Sequence, residues 1–321
     1  MKVSVYCLVY NHGKYLRSAL DGFVNQKVNF PFEVIVHDDC STDNSAIIIK
    51  EYADKYPDII KPIYQKENQY SKGISIKRTY IAPLVKGDYV AVCEGDDYWN
   101  DELKLQKQVD FLDNNLEYIA CVHDTLQENQ NDGTTFRMFN FGQDKDINLE
   151  DILKGKCFHT SSVLYRSKMI YSYPPFYEAA KSFGDVQLAI DLSLNGKIKY
   201  FDTVMSVYRH GTVGSWSYRN ECDFQSRASS YKSYMDMLIS VNEYTDYKYA
   251  KIVDFYIDKY DINRLSFEED YSNLFSRKYI NIFNKLSTRE KFAIIYRTIF
   301  RKLYIRNLDK KRREYEKIIN R

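Results

Sequence analysis

The sequence predicts an α/β fold built on a mostly parallel sheet, followed by a helical C-terminal region. Three apolar runs rich in β-branched residues, Val3–Val9, Phe32–Val36 and Asp88–Cys93, each end in a polar turn. A helical pattern of apolar residues follows each turn. Such alternation of strand and helix is typical of sheets whose strands run parallel.

The elements follow one another regularly through about residue 125. Each strand candidate is a short apolar run, and each helix candidate repeats apolar residues every three or four positions. Leu105, Val109 and Leu112, for example, share one face of a predicted helix. The predicted elements are strands at 3–9, 32–36, 59–64, 88–93 and 118–123, and helices at 14–26, 43–55, 75–85 and 101–114.

The second half of the sheet region is less regular. Residues 126–157 are polar and predict a loop or hairpin that ends in a short helix near 148–154. A strand at Phe158–Arg166, a helix at Asp185–Leu194 and an extended segment at Lys197–Tyr208 follow.

The change of pattern, rather than a visible linker, sets the predicted domain boundaries. We expect one domain over 1–217, with halves at about 1–125 and 126–217, and a helical region over 218–321. At this length the chain can bury a full core.

Charge is distributed unevenly along the chain. The net charge is +2, but residues 271–321 hold 15 Lys and Arg against 4 Asp and Glu, so they carry +11 and the remainder −9. A basic tail on an acidic body indicates an anionic lipid partner rather than nucleic acid, although a solvated helix face has the same composition.

The segment Arg289–Arg306 is partly amphipathic. Such a basic helix can lie in a membrane interface, pack back on the protein or form a homodimer. Its predicted apolar face consists of Phe292, Tyr296, Ile299, Phe300 and Leu303.

Cysteine usage and hydropathy predict a cytoplasmic protein, peripheral at the inner face of the cell membrane if it contacts one. The six cysteines are scattered without a C-x-x-C pair, which indicates reduced thiols. The N-terminus shows no signal peptide, and no stretch reaches the roughly 18 apolar residues of a membrane span.

The three polar turns predict one acidic site. Ligands of open α/β sheets bind beyond the carboxyl ends of parallel strands, so the turns should converge there. The third turn places three carboxylates, Glu94, Asp96 and Asp97, within four residues. Like charges so close are costly unless a cation is bound, which favours a divalent metal site facing a nucleotide.

In these motifs the chain resembles the family 2 inverting glycosyltransferases of GT-A fold. The matching segments are Ser4–Asn11, Glu33–Asp43, Gly87–Asp97, Gly184–Leu188 and Val207–Gly211. Their order and spacing carry the resemblance, which covers about residues 1–217.

The resemblance implies a nucleotide-binding role for the first two turns. Asp39 would accept hydrogen bonds from the uracil or ribose of a nucleotide-sugar, with Asp38 as a less favoured contact. Leu8, Val9 and Tyr10 would offer backbone groups and a ring to the base. Capping of the following helix and core packing are the structural alternatives.

The resemblance also implies a Mn²⁺ or Mg²⁺ site. Asp96 is the first candidate ligand, shared with the nucleotide, and Asp97 the second, while Glu94 occupies the position where the family has Asp. His210 is a further candidate ligand, although the family usually places one more residue between it and Arg209. As an alternative to a role for His210, Arg209 would neutralise the leaving phosphates.

Other charged residues complete the expected site. Lys72 and Arg78 are candidates for phosphate contact, and His159 lies on a segment that the family places near the acceptor. Asp185 would be the general base, since inverting transfer needs a carboxylate to take the acceptor proton. Its place at a helix start near a metal leads us to expect a low pKa.

The predicted function is inverting, metal-dependent and non-processive transfer of a sugar from a UDP-sugar to a hydroxyl of a growing, lipid-linked surface glycan. The donor would be of the Glc, Gal, GlcNAc or GalNAc type. The Gln-x-x-Arg-Trp element of processive synthases is absent from the sequence. The alternatives are a non-catalytic partner subunit and a nucleotidyltransferase. A Rossmann dehydrogenase is rejected, because no G-x-G-x-x-G follows the first strand.

Overall fold

A computed structural model describes residues 1–130, 132–155, 158–180, 183–211, 224–274 and 276–319. The described residues fall into two compact units, one within Met1–Ser172 and Leu188–His210 and the other within Tyr173–Gln187 and Gly211–Arg321. The predicted boundary at 217 lies outside the described residues.

The first unit contains a single mixed sheet. Its strands within the described residues are β1 (Val3–Val9), β2 (Phe32–Asp38), β3 (Ile60–Tyr64), β4 (Tyr89–Val92), β5 (Tyr98–Trp99), β6 (Tyr118–Asn129), β7 (Thr135–Arg137), β8 (Lys145–Ile147), β9 (Leu164–Arg166) and β10 (Lys197–His210).

Helices alternate with these strands. They are α1 (Leu16–Val24), α2 (Ser45–Lys55), α3 (Lys104–Asn114), α4 (Leu149–Leu153), α5 (Phe176–Ala179) and α6 (Gly184–Asn195), of which α5 and the first turn of α6 belong to the second unit.

The strand order is β3-β2-β1-β4-β9-β6-β10-β5, with β7 paired to β6 and β8 to β10. The strands from β3 to β4 are parallel, as the sequence predicts, and Val9 lies opposite Asp38. Beyond β4 the sheet is mixed, because β9 pairs antiparallel with both β4 and β6. Strand β7 follows β6 closely in the chain and pairs antiparallel with it, since a short connection can join only antiparallel neighbours.

The core between α1 and the sheet follows from helical spacing. Leu16, Ala19, Leu20 and Phe23 are fully buried on one face of α1. Phe23 meets Trp99 edge to face, with ring centroids 4.8 Å apart. Burial of such apolar side chains is the main favourable term in folding.

Two predicted elements take a different form. The helix expected at 75–85 is a π turn at Lys77–Ile81 followed by a 3₁₀ turn at Ala82–Leu84. Pro83 lacks the N–H that a longer helix needs there. The strand expected at Phe158–Arg166 begins as a 3₁₀ turn, Thr160–Ser162, and becomes extended only in β9.

The second unit is mainly helical, as predicted for this region. Its further helices are α7 (Phe224–Tyr244), α8 (Ala250–Glu268), α9 (Tyr271–Leu274), α10 (Arg277–Lys285), α11 (Thr288–Ile299) and α12 (Arg301–Ile319). Their core includes Ile262, Leu265, Leu274, Tyr279, Leu286 and Ile294. Within the described ranges, no helix combines the length and apolarity that crossing a membrane requires.

Candidate active site

The turns after β1, β2 and β4 are joined by backbone hydrogen bonds at the carboxyl ends of these strands. The Val9 carbonyl accepts from the Asp39 N–H at 2.9 Å, and the Leu8 carbonyl accepts from the Gly95 N–H at 3.1 Å. Leu8 and Val9 therefore hold the other two turns in place. The convergence expected from the strand ends is present, and the predicted contact of Leu8 and Val9 with a nucleotide stays a prediction.

The first two turns are also locked together by side chains. Asn11 has a φ of +57°, in the left-handed region that Asn tolerates better than most residues. Its N–H donates to Ser41 Oγ at 2.9 Å, and its Oδ1 accepts from the Thr42 N–H at 2.7 Å. Tyr10, just before this lock, is 47% exposed and has room to stack on a planar ligand.

Asp39 and Asp38 are both buried at the end of β2. The two Asp39 carboxylate oxygens accept from the backbone N–H groups of Gln69 at 2.8 Å and Tyr70 at 3.0 Å. Asp38 Oδ2 accepts from the Ser41 N–H at 3.3 Å. Asp39 thus caps the 3₁₀ turn that begins at Tyr70, and each of its oxygens retains a second lone pair for a ligand donor.

The acidic turn after β4 combines one exposed and two buried carboxylates. Glu94 is exposed, whereas Asp96 and Asp97 are buried. Burial, reinforced by the negative charge of Asp96, raises the pKa of the Asp97 carboxyl well above its usual range. The Arg209 N–H, which donates to Asp97 Oδ1 at 3.0 Å, acts in the opposite direction. Positive charge placed at this turn would favour the ionised form of Asp97.

Arg209 ties the acidic turn to the end of β10. Its Nη1 donates to the Asp96 carbonyl at 2.9 Å. Its guanidinium lies over the ring of Tyr98 at 4.4 Å and over that of Tyr15 at 5.2 Å. The planar cation is thus held by two aromatic rings, a geometry that suits Arg better than Lys.

Two histidines lie close to the aspartates. His12 Nε2 is 3.9 Å from Asp96 Oδ2, and His159 Nε2 is 3.8 Å from Asp97 Oδ2. Burial lowers the pKa of His159 to about 4, so its ring is neutral at neutral pH, with Nδ1 2.8 Å from Ser161 Oγ. His12 was not among the site residues predicted from the sequence, although its position in the turn after β1 could have identified it.

The carboxylate oxygens of the acidic turn suit a hard divalent cation whose coordination is completed by the phosphates of a bound ligand. Asp96 and Asp97 offer carboxylate oxygens, and Mg²⁺ is commonly bound by one or two carboxylates together with phosphates and water. In the parts of the chain described, no three His, Cys, Asp or Glu side chains are arranged to hold a metal by themselves. His210 ends β10 with its ring 6.0 Å from that of Tyr208, and its role as a ligand stays a prediction.

The two basic candidates for phosphate contact are exposed. Lys72 pairs with Glu67, and Arg78 lies in the π turn. An exposed ion pair is worth little, so Lys72 can exchange Glu67 for a phosphate at low cost.

Asp185 lies in the first turn of α6, within the second unit. The start of this helix is anchored by Gln187, whose amide donates to the carbonyls of Phe176 at 3.0 Å and Ala180 at 2.6 Å. Asp185 keeps access to solvent, yet the protein around its carboxyl disfavours the charged form and raises its pKa. The expectation of a low pKa is wrong, because this desolvation outweighs the backbone N–H groups of Val186 and Asp185.

Comparison with solved structures supports the fold. S. aureus TarS 1–349 in complex with UDP-GlcNAc aligns with a TM-score of 0.62 and 19% identity, over 100% of this chain and 92% of that one. Mannosyltransferase PcManGT from Pyrobaculum calidifontis, in complex with GDP-Man and Mn²⁺, aligns with a TM-score of 0.53 and 13% identity, over 94% and 87%. At these identities the likeness shows the fold alone, and that fold is of GT-A type.

Comparison of sequences identifies the family. The uncharacterized protein Rv1520 of Mycobacterium tuberculosis is 35% identical over 214 residues, which are 67% of this chain but only 60% of that protein. The poly(ribitol-phosphate) beta-glucosyltransferase of Bacillus spizizenii is 34% identical over 107 residues, 33% of this chain and 16% of that protein. The family profile described as Glycosyl transferase family 2 matches residues 4–173, more than half of the chain. The chain therefore belongs to glycosyl transferase family 2.

Proposed function

We propose that this protein transfers a sugar from a UDP-sugar to a hydroxyl of a growing surface glycan, with inversion and with help from a divalent metal. The observation that carries the proposal is the acidic turn Glu94–Asp97, which has two buried carboxylates and is joined to the end of β1, where the turn after β2 is also held. Such a cluster suits a metal and the diphosphate that it binds.

The first two turns are the proposed nucleotide site. Asp39 is held by Gln69 and Tyr70 with lone pairs left for a base or ribose donor. Tyr10 is exposed beside it for stacking. S. aureus TarS, which has the same fold, was crystallised in complex with UDP-GlcNAc, and this supports a UDP-linked donor of the Glc, Gal, GlcNAc or GalNAc type here.

Asp96 and Asp97 are the proposed holders of Mn²⁺ or Mg²⁺. A bound ion of this kind supplies positive charge against the leaving diphosphate. Arg209 adds a fixed cation at the same turn, and its position between Tyr98 and Tyr15 requires no rearrangement during the reaction. The complex of the P. calidifontis mannosyltransferase, which has the same fold, contains Mn²⁺ together with GDP-Man.

Asp185 is the proposed general base. In an inverting displacement, a carboxylate removes the proton from the acceptor hydroxyl while its oxygen attacks the anomeric carbon. The raised pKa of Asp185 makes its carboxylate a stronger base than an ordinary surface aspartate. The name of the B. spizizenii relative, a beta-glucosyltransferase, is consistent with a β-linked product from an α-linked donor.

The proposed acceptor is a lipid-linked surface glycan, extended by one sugar per encounter. One relative is named a poly(ribitol-phosphate) beta-glucosyltransferase, and this name supports a surface polymer as the acceptor here. The lack of a Gln-x-x-Arg-Trp element in the sequence supports non-processive transfer. A cytoplasmic location at the inner face of the membrane stays a prediction.

Release of UDP from a panel of UDP-sugars tests the proposal. The assay compares Mn²⁺, Mg²⁺ and EDTA, and compares the wild-type protein with Asp185→Asn. We expect one donor to be turned over with metal, and the variant to lose at least about a hundredfold in rate, as for loss of a general base.

A matched control separates loss of the base from loss of a helix-terminal charge. Glu150→Gln also removes an acid from the first turn of a helix, α4, and should leave the rate unchanged. Equal rates for wild type and Asp185→Asn would exclude Asp185 as the base. Binding of UDP without turnover of any donor, with or without a glycan acceptor, would favour a non-catalytic partner subunit.

A further inference from the structure

Helix α11 of the second unit is amphipathic, but one of its charged side chains, Arg297, faces inward. Ile294 and Arg297 are the buried residues of α11, at 3% and 8% exposure. Arg297 donates from Nε to Ser266 Oγ at 3.1 Å, also bonds Asn263, and lies 4.8 Å from the Phe267 ring. The hydrogen bonds of Arg297 therefore fasten this helix to α8 together with Ile294, which shares a core with Ile262 and Leu265.

Arg301, at the start of α12, continues this inward arrangement. Its guanidinium donates to the carbonyls of Ser266 and Phe267 at 3.4 and 3.3 Å and pairs with Glu269 at 2.6 Å. Because Arg297 and Arg301 face α8, the apolar side chains of α11 other than Ile294, and those at the start of α12, lie on the side away from α8.

Those apolar side chains are exposed to solvent. Phe292, Ile295 and Ile299 recur at intervals of three and four residues, so they share one face of α11. Phe292 is 65% and Ile299 70% exposed, and exposed Phe300 and Leu303 extend the surface into α12. We call these five residues the outer apolar face. A contiguous exposed apolar surface of this kind marks an interaction site.

Charge around the outer apolar face points to its partner. Lys302, Arg306 and Lys310 are all exposed on α12. Residues 271–321 as a whole carry +11, against −9 for the remainder of the chain. A second copy docked on this face would bring two strongly positive segments together, which is unfavourable. An anionic surface is favoured by the same charges.

We propose that the outer apolar face and its exposed lysines and arginine dock on an anionic phospholipid membrane. The apolar side chains would enter the boundary between headgroups and acyl chains, and the long basic side chains would reach the phosphates. The inference rests on this face alone and requires no sugar transfer, so its failure and the failure of the proposed function are distinguishable.

Vesicle flotation with the full chain tests the proposal. One set of vesicles is phosphatidylcholine alone, and the other is phosphatidylcholine mixed with phosphatidylglycerol. We expect binding to the anionic vesicles only, weakened by rising salt. Phe292→Ser combined with Ile299→Ser should lower the partition coefficient at least about tenfold, since two large apolar side chains are lost.

Two matched controls make the result specific. Ile47→Ser with Leu116→Ser removes two equally exposed apolar residues from the first unit and should not change binding. Lys302→Glu with Arg306→Glu should abolish the preference for anionic vesicles, whereas Lys50→Glu with Lys154→Glu, at exposed sites elsewhere, should preserve it.

Four results would overturn the proposal. These are no binding to either set of vesicles, equal binding to both, retention of binding by the Phe292 and Ile299 double variant, and sedimentation of the wild type as a dimer that this variant disrupts. The last result would identify a second copy of the chain as the occupant of the face.

Discussion

Arg209 connects three features of the candidate site at the scale of single residues. Its backbone N–H meets Asp97, its guanidinium meets the Asp96 carbonyl, and two tyrosine rings hold that guanidinium from its sides. Charge compensation and positioning of the acidic turn thus depend on one side chain. From the sequence we expected this arginine only at the leaving phosphates, because neither its rings nor its carbonyl partner is near it in the chain.

Replacement of this side chain by a shorter cation tests its positioning role. Arg209→Lys keeps the charge but loses the planar contact with Tyr98 and the directed bond to Asp96, so kcat/KM for the UDP-sugar should fall by about tenfold or more. Arg17→Lys, at an exposed arginine paired with Glu51, is the control and should leave kcat/KM unchanged. An unaltered kcat/KM in Arg209→Lys would show that only the charge matters there.

At the scale of elements, α11 shows the limit of reading a helix from its sequence. The pattern identifies a helix with an apolar side at Phe292 and Ile299, but it cannot say which side packs on neighbours. In the structure that apolar side is exposed, while Ile294 and Arg297 are buried. Arg297 is buried because Ser266 and Asn263 of α8 satisfy its guanidinium, and these partners are distant in sequence.

Substitutions at two neighbouring isoleucines test which side of α11 is packed against the protein. Ile294→Ala should lower the free energy of unfolding by about 2–5 kcal/mol, as for a buried aliphatic side chain. Ile295→Ala, at an exposed site on the same helix, should change it by less than about 0.5 kcal/mol. Chemical denaturation of both variants gives the comparison, and equal losses would contradict the inward orientation of Ile294.

Helix α3 contains a fully buried lysine that the mechanism does not use. Lys104 Nζ donates to Gln108 Oε1 at 2.8 Å and lies 4.1 Å from the Trp99 ring. Burial lowers the pKa of Lys104 to about 7, whereas an unfolded lysine titrates near 10.4. Between these values the unfolded chain binds the extra proton, so this residue makes stability rise with pH.

Replacement of Lys104 by Met should remove that contribution. Relative to Lys104→Met, the wild type should gain on the order of 3 kcal/mol in free energy of unfolding between about pH 7 and pH 10. Lys107→Met, on the same helix at an exposed position, should keep the wild-type slope. Urea denaturation across this range gives both differences, and parallel curves for wild type and Lys104→Met would contradict the neutral buried lysine.

At the scale of the whole molecule, local patterns predicted the parallel half of the sheet and the acidic turns well. Strands β1, β2 and β4 and helices α1 and α2 lie where apolar runs and helical spacing indicate. The antiparallel insertion of β9 between β4 and β6 was not predictable, because pairing joins residues far apart in the chain. The turn after β1 that holds His12 was predictable from the sequence, whereas the approach of His12 to Asp96 at 3.9 Å comes from the fold.

The central claim is that the turn Glu94–Asp97 binds a nucleotide diphosphate together with a divalent metal. The most direct measurement is calorimetric titration of UDP into wild type and Asp96→Asn, with Mn²⁺ and with EDTA. Asp101→Asn, whose carboxylate pairs with Lys107 on α3, is the control. We predict binding to wild type and to the control only with Mn²⁺, weakened at least about tenfold in Asp96→Asn. Equal affinity of wild type and Asp96→Asn, or equal affinity with Mn²⁺ and EDTA, would contradict the claim.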